Sequence, residues 1–302
     1  MNCEIGSGAI YIRKFSYDTN RIKIIRCCHR ESEIIHEMTY DDIFKMSAAE
    51  FMQFLYDLYK IIPSNHDYKT YYYCKTKEKI CNYCDSYFNE IYVDILTHCN
   101  LKCSFCHIHQ HFIKTDEDIK LYFDILNKLR NNHLKILNLT CNGEPFYFKK
   151  DIFNYLESLT SDDFEVVKII SNLTLLNFND IVHLYNIQKK NNIKIQIIAS
   201  CSGITEETYK IMHNNNLFNK VVSNIKLLNY FGLLCAINFV IAPENLCELP
   251  NLKSFWANNG VHDYQVVGSV IIDNHDEYRI KNATNIVLDS IEYKNFIQQL
   301  NR

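Results

Sequence analysis

Glycine and proline are scarce in this chain, with seven and four among 302 residues. None of the four prolines interrupts a strand-like run, where proline would remove a ladder hydrogen bond. Charge of one sign is also lacking. The formal net charge is −3 and no block of like charges occurs, so neither nucleic acid nor a membrane surface is expected as a partner. No apolar run approaches the length of a membrane span. The longest, Tyr230 to Ala242, is broken by Asn238 and reads as a helix end followed by a strand. The opening Met1-Asn-Cys-Glu-Ile-Gly-Ser-Gly has neither the basic region nor the apolar core of a secretion signal, and the expectation is a cytoplasmic protein. With 47% hydrophobic and 13% aromatic residues, the chain is expected to fold around a core.

Cysteine, by contrast, is abundant: thirteen residues, an odd number. In a reducing cytosol clustered thiols point to metal or redox chemistry rather than disulfides. Three of them fall in the run His98-Cys-Asn-Leu-Lys-Cys-Ser-Phe-Cys, giving Cys99, Cys103 and Cys106 the spacing C-x3-C-x2-C. Three thiolates can hold three irons of a cubane [4Fe–4S] cluster and leave the fourth iron open for chemistry. A zinc site or three core cysteines are the alternatives that spacing alone leaves standing.

From about Glu90 onward, apolar strand-like runs alternate with amphipathic helical ones. The strand-like runs are Ile91–Leu96, Lys135–Thr140, Val166–Ile170, Ile193–Ala199, Cys235–Ile241 and Tyr264–Val270. Helical spacing follows a Thr115-Asp-Glu-Asp start and recurs at Asp151–Leu159, Phe178–Lys190, Glu206–Met212 and Asn219–Phe231, the last closed by Gly232. Pro250 suits the first turn of a helix running to Ala257. Six such units predict an α/β fold with a parallel sheet, either a partial (βα)6 barrel or an open sheet, with its chemistry at the carboxyl ends of the strands. The cysteine triplet follows the first strand at that end.

Three further runs occupy strand ends. Cys141-Asn-Gly-Glu-Pro-Phe follows the second strand, Ser171-Asn-Leu-Thr the third, and Ser200-Cys-Ser-Gly-Ile-Thr-Glu-Glu-Thr-Tyr the fourth. With the triplet, these resemble the ordered motifs of the radical SAM superfamily from Glu90 to Val270. The resemblance implies a [4Fe–4S] cluster on Cys99, Cys103 and Cys106 whose open iron binds S-adenosylmethionine. It implies cofactor contacts from Phe105, from Gly143, Glu144 and Pro145, from Ser171 and Asn172, and from Ser200 and Ser202. Glu144 would meet the amino group, Ser171 and Asn172 the ribose, and Phe105 the adenine. The match is imperfect: Asn142 replaces a glycine, Leu173 another glycine, and Ser202 an aspartate. By residue type alone, Phe105 is equally a packing residue and Ser200 or Ser202 a helix cap. Cys141, Cys235 and Cys247 read as core or inert thiols, Cys201 as a buried structural thiol with a place facing the substrate as the alternative, and His107, His109 and His111 as a solvated loop with metal ligation as the alternative.

The first ninety residues hold Cys3, Cys27, Cys28, Cys74, Cys81 and Cys84. Gly8–Arg13 and Arg21–Arg26 read as a hairpin, and Asp41 to Tyr59 as helical. The cysteine order is similar to the SPASM or twitch module, which binds auxiliary clusters and normally follows the core. On that resemblance residues 1–89 form a small α+β cysteine-rich module, 90–275 the radical SAM core and 276–302 a tail. A second [4Fe–4S] cluster would sit on Cys3, Cys28, Cys81 and Cys84, with Cys27 and Cys74 as alternates and a zinc site as the rival.

The implied activity is reductive cleavage of S-adenosylmethionine to a 5′-deoxyadenosyl radical, which takes hydrogen from a substrate in peptide modification or in alcohol or sugar oxidation. An electron donor such as flavodoxin or ferredoxin is implied with it. A non-catalytic iron–sulfur or zinc protein that senses redox state or binds a partner is the alternative reading.

Overall fold

The computed structural model describes residues 9–14, 20–25, 34–60, 88–106, 115–139, 142–262, 265–270 and 290–300. Among the described residues nine strands, numbered along the chain from β1 (Ala9–Lys14), β2 (Arg21–Ile25) and β3 (Ile34–Thr39), form one sheet in the order β3-β2-β1-β4-β5-β6-β7-β8-β9. Strands β4 (Glu90–Asp94), β5 (Ile136–Leu139), β6 (Val166–Ser171), β7 (Lys194–Ser200), β8 (Leu234–Ile241) and β9 (Gln265–Val270) are mutually parallel and adjacent in chain order. All six were legible in the sequence to within two residues at each end, because each is an isoleucine- or valine-rich run between polar breaks. Among the described residues the sheet does not close on itself, as expected for six βα units.

Helices fill the crossovers. They are α3 (Asp116–Lys128), α4 (Lys149–Ser158), α5 (Phe178–Asn191), α6 (Glu206–His213), α7 (Phe218–Tyr230) and α8 (Leu252–Asn258). The Thr115 start is a capping box: the Thr115 side chain accepts from Asp118 N, and Asp118 accepts from Thr115 N. In β6 and β7, side chains fully buried at Val167, Ile169, Ile195 and Ile197 alternate with half-exposed ones such as Lys168, Ile170, Gln196 and Ile198. One face of the sheet is thus sealed and the other is more open. Pro250 departs from expectation. It lies inside a 3-10 segment, Pro243–Asn251, and α8 starts after it.

The amino-terminal strands differ most from the sequence reading. Strands β1 (Ala9–Lys14) and β2 (Arg21–Ile25) form the expected antiparallel pair, but a third strand, β3 (Ile34–Thr39), was not anticipated. Its Glu37 and Thr39 mask the period-2 pattern of an edge strand. Helices α1 (Tyr40–Lys45) and α2 (Ala48–Lys60) split the single predicted helical segment at Met46 and Ser47. Strand β1 pairs in parallel with β4, Ile10 beside Ile91 and Ile12 beside Val93, so these strands extend the core sheet. Ile10, Ile12, Ile22 and Ile24 are fully buried. A buried ion pair fastens the join: Lys14 Nζ lies 2.6 Å from Asp118 of α3, whose other oxygen accepts from Tyr40 Oη at 2.6 Å. Beyond α8, α9 (Ile291–Leu300) buries Phe296.

Candidate active site

The triplet lies on the loop after β4. Ile95, Leu96 and Thr97 are fully buried and carry the chain to the loop, where Cys99, Cys103 and Cys106 are each half-exposed. A turn bonds Cys106 N to Cys103 O at 3.1 Å, and Leu101 N donates to Cys99 Sγ at 3.4 Å. Ser104 clamps the loop to the end of α6, its amide donating to Met212 O at 2.9 Å and its hydroxyl at 3.2 Å. Burial pushes the Cys103 thiol pKa well up, and the fields of Cys106 and Cys99 push it further. A thiol pushed up in this way ionises more readily beside positive charge, which an iron cluster would supply. Among the described residues no three His, Cys, Asp or Glu side chains converge on one point as a single metal ion requires. A cubane makes no such demand, since each thiolate takes its own iron.

Glu144 sits at the end of β5. Its amide donates to His98 O at 2.7 Å, which docks the Gly143-Glu144-Pro145 turn against the residue preceding the triplet. Gly143 is required there: a Cβ would stand 2.2 Å from His98 O. The Glu144 carboxylate is buried. Oε1 accepts from Ser171 Oγ at 2.8 Å and Phe146 N at 3.1 Å, and Oε2 accepts from Asn172 N at 2.7 Å. Burial raises its pKa to about 7 against the opposing pull of those three donors. A carboxylate has about four lone-pair sites, so Oε2 keeps room for one further donor such as an ammonium group. Pro145 opens a 3-10 turn, Pro145–Phe148, and is buried.

The loop after β6 joins this carboxylate to the triplet. Asn172 Nδ2 donates to Asn100 Oδ1 at 3.1 Å and lies 3.8 Å from Cys99 Sγ, while Asn172 Oδ1 accepts from Thr174 Oγ1 at 2.6 Å. Ser171 and Asn172 therefore position Glu144 and Cys99. Leu173 adopts φ +62, the left-handed conformation that glycine favours, and its side chain is fully buried. Asn224 of α7 holds the turn by donating to Leu173 O and Leu176 O.

After β7, Ser200 is half-exposed at the strand end, whereas Ser202 is fully buried. Ser202 Oγ accepts from Val240 N at 3.0 Å and its carbonyl accepts from Asn245 Nδ2 at 3.0 Å. Ser202 thus holds the loop together from a buried position. The helix cap is neither serine but Thr205, whose side chain accepts from Thr208 N. Glu248 steadies the loop by accepting from Ile204 N and Thr205 Oγ1, each at 2.8 Å. Phe105 meets the His213 ring edge-on at 5.5 Å between centroids, a packing contact. Cys201 is a buried thiol with its pKa raised to about 12, donating to Gly203 O. Cys235 is half-buried, and Cys247 is exposed rather than core. His213, Asn100, Thr174 and Glu248 went unread in the sequence. His213 follows Tyr209 at helical i+4 spacing, but only packing brings it to the triplet. Cys3, Cys27, Cys28, Cys74, Cys81, Cys84, Cys141, His107, His109 and His111 lie outside the described residues.

No protein-family model and no curated protein matches this chain. Solved structures do. Streptococcus suis SuiB bound to S-adenosylmethionine superposes with a TM-score of 0.51 at 18% identity, over 70% of this chain and 48% of that one. Histidine-tagged anSMEcpe with bound AdoMet gives 0.51 at 16% identity, over 70% and 58%. Native anSMEcpe with bound AdoMet and the Cp18Cys peptide gives 0.50 at 17% identity, over 70% and 58%. The matched part thus spans about half to three-fifths of those proteins. Six parallel strands in chain order, a triplet loop after the first of them, and these superpositions show that the chain has the fold of the radical SAM enzymes.

Proposed function

We propose that this chain is a radical SAM enzyme. The observation that carries the reading is the connection of Cys99 through Asn172 to a buried Glu144, all at the carboxyl ends of β4, β5 and β6. Cys99, Cys103 and Cys106 would hold a [4Fe–4S] cluster, and the free acceptor site on Glu144 would take the ammonium group of S-adenosylmethionine. The cluster and its cofactor, when bound, supply one-electron cleavage of a carbon–sulfur bond and a 5′-deoxyadenosyl radical that abstracts hydrogen. The protein's part is to fix the three thiols on a loop clamped by Met212 O and to aim the carboxylate. The rings of Phe105, Tyr209 and His213 pack together beside Cys103.

The substrate class is a peptide, or an alcohol or sugar. The peptide stands first because one similar structure, anSMEcpe, holds a peptide. Reduction would come from flavodoxin or ferredoxin, and a second cluster is proposed on Cys3, Cys28, Cys81 and Cys84. Anaerobic reconstitution and reduction with S-adenosylmethionine present tests the core claim. The expected product is 5′-deoxyadenosine, lost in Cys103→Ala. An intact, reduced cluster that yields none would sink the enzyme reading in favour of a redox sensor. Iron and sulfide in the triplet-less protein support the second cluster; zinc without sulfide ends it.

A further inference from the structure

We propose that His213 is a positioning residue for the triplet: its imidazole is fixed in the Nδ1–H tautomer and donates a hydrogen bond to the sulfur of Cys103. The inference rests on the reading that the triplet holds a cluster, but its geometry stands apart from that reading. His213 is the last residue of α6 and is buried, 1% exposed. Its Nε2 lies 2.9 Å from Ser202 N, and a peptide N–H can only donate, so Nε2 is the lone-pair nitrogen. The single proton of the neutral ring is then on Nδ1. That nitrogen lies 3.4 Å from Cys103 Sγ, within range for an N–H···S bond.

The ring has little freedom to turn away. Tyr209 stacks on its face at 4.4 Å between centroids and Phe105 meets it edge-on. Both ends of the bridge are anchored as well: Ser202 by Val240 N and Asn245, and the Cys103 loop by Ser104 on Met212 O. The chain Ser202–His213–Cys103 therefore ties the loop after β7 to the triplet. A hydrogen bond to a ligating sulfur stabilises the more negative, reduced form of an iron–sulfur cluster and raises its potential. Through the fixed tautomer, α6 would set how readily the triplet's cluster accepts an electron.

Two measurements test the inference. On the apo protein, 15N-labelled histidine should show His213 with a protonated Nδ1 and an unprotonated Nε2 at pH 7. An Nε2–H tautomer or a doubly protonated ring overturns the proposal. On the reconstituted protein, EPR-monitored titration compares wild type with His213→Gln and His213→Asn. The Gln carbonyl can replace Nε2 as acceptor for Ser202 N but leaves no donor at the Nδ1 position, whereas the Asn amide keeps one. His213→Gln should make reduction about tenfold harder, ~59 mV for one electron, with His213→Asn closer to wild type. Equal potentials in wild type and His213→Gln, at equal iron and sulfide content, overturn it. If the wild type takes up no cluster, the functional proposal falls instead, and the tautomer measurement still decides the His213 bond.

Discussion

The carboxylate of Glu144 accepts from the backbone amide of Asn172 at 2.7 Å, and the Asn172 side chain reaches Cys99 Sγ at 3.8 Å. One residue after β6 thus holds a group from the end of β5 in fixed relation to a thiol after β4. Neither contact is between neighbours in the chain, and both depend on three parallel strands ending side by side.

That buried carboxylate has a pH signature. Burial raises its pKa to about 7 from an ordinary 4.5, so folding favours the protonated form. The stability it contributes is complete below about pH 4.5 and is lost as pH rises through 7. The loss at pH 8 is about 3 kcal/mol. Glu144→Gln cannot ionise. Its stability relative to wild type should therefore improve by about 3 kcal/mol between pH 4.5 and pH 8, whatever constant offset the amide introduces. Urea unfolding of the apo proteins across that range gives the answer; a pH-independent difference contradicts the assignment.

Gly143 meets backbone, which cannot swing aside as a side chain can. In Gly143→Ala the new methyl group would lie 2.2 Å from the His98 carbonyl oxygen. The strand-end turn must retreat and the bond from Glu144 N to His98 O must lengthen. A loss of about 3 kcal/mol is expected, with poorer iron uptake on reconstitution. Unchanged thermal unfolding and full iron loading would show the turn to be looser than described.

At Leu173 two effects compete. The left-handed backbone at φ +62 costs about 1–2 kcal/mol for a residue with a Cβ, and a glycine recovers it. The buried leucine side chain is worth about 2–5 kcal/mol against truncation to alanine. Leu173→Gly should therefore destabilise by about 1–3 kcal/mol, yet remain about 1 kcal/mol more stable than Leu173→Ala. Calorimetry of the two variants that ranks alanine above glycine would contradict the backbone conformation.

Lys14 and Asp118 couple the amino-terminal strands to α3 with both side chains fully buried. Lys14→Met strands a buried carboxylate and should cost about 3–5 kcal/mol. Adding Asp118→Leu removes the stranded charge and should restore part of it, with the Tyr40 hydroxyl and the Thr115 amide of the capping box left as the residual cost. A double variant as unstable as the single one would mean that the cost does not come from the stranded charge.

How much of this was legible depends on the range of the interaction concerned. The six parallel strands were readable because each is a local apolar run, and the Thr115 cap because its two bonds span three residues. The triplet's spacing and the Gly143-Glu144-Pro145 run were readable as residue types at strand ends. Strand β3 was not, since an edge strand carrying His36, Glu37 and Thr39 has no clear alternation. The hydrogen-bond partners of Ser171, Asn172 and Ser202 were not readable either. Their short polar side chains suit a cofactor or a backbone equally, and the choice is made by what lies across the loop.

The sequence by itself determined the βα alternation, the six parallel strands from β4 to β9 and the thiol spacing, because each is a property of adjacent residues and of helix and strand periods. The tertiary structure alone decided that β1 joins β4, that Leu173 must turn left-handed, that Glu144 is buried against Ser171 and Asn172, and that His213 faces Cys103. Those are contacts between groups dozens of residues apart, set by sheet order and packing. The triplet marks the centre, and the fold supplies the donors around it.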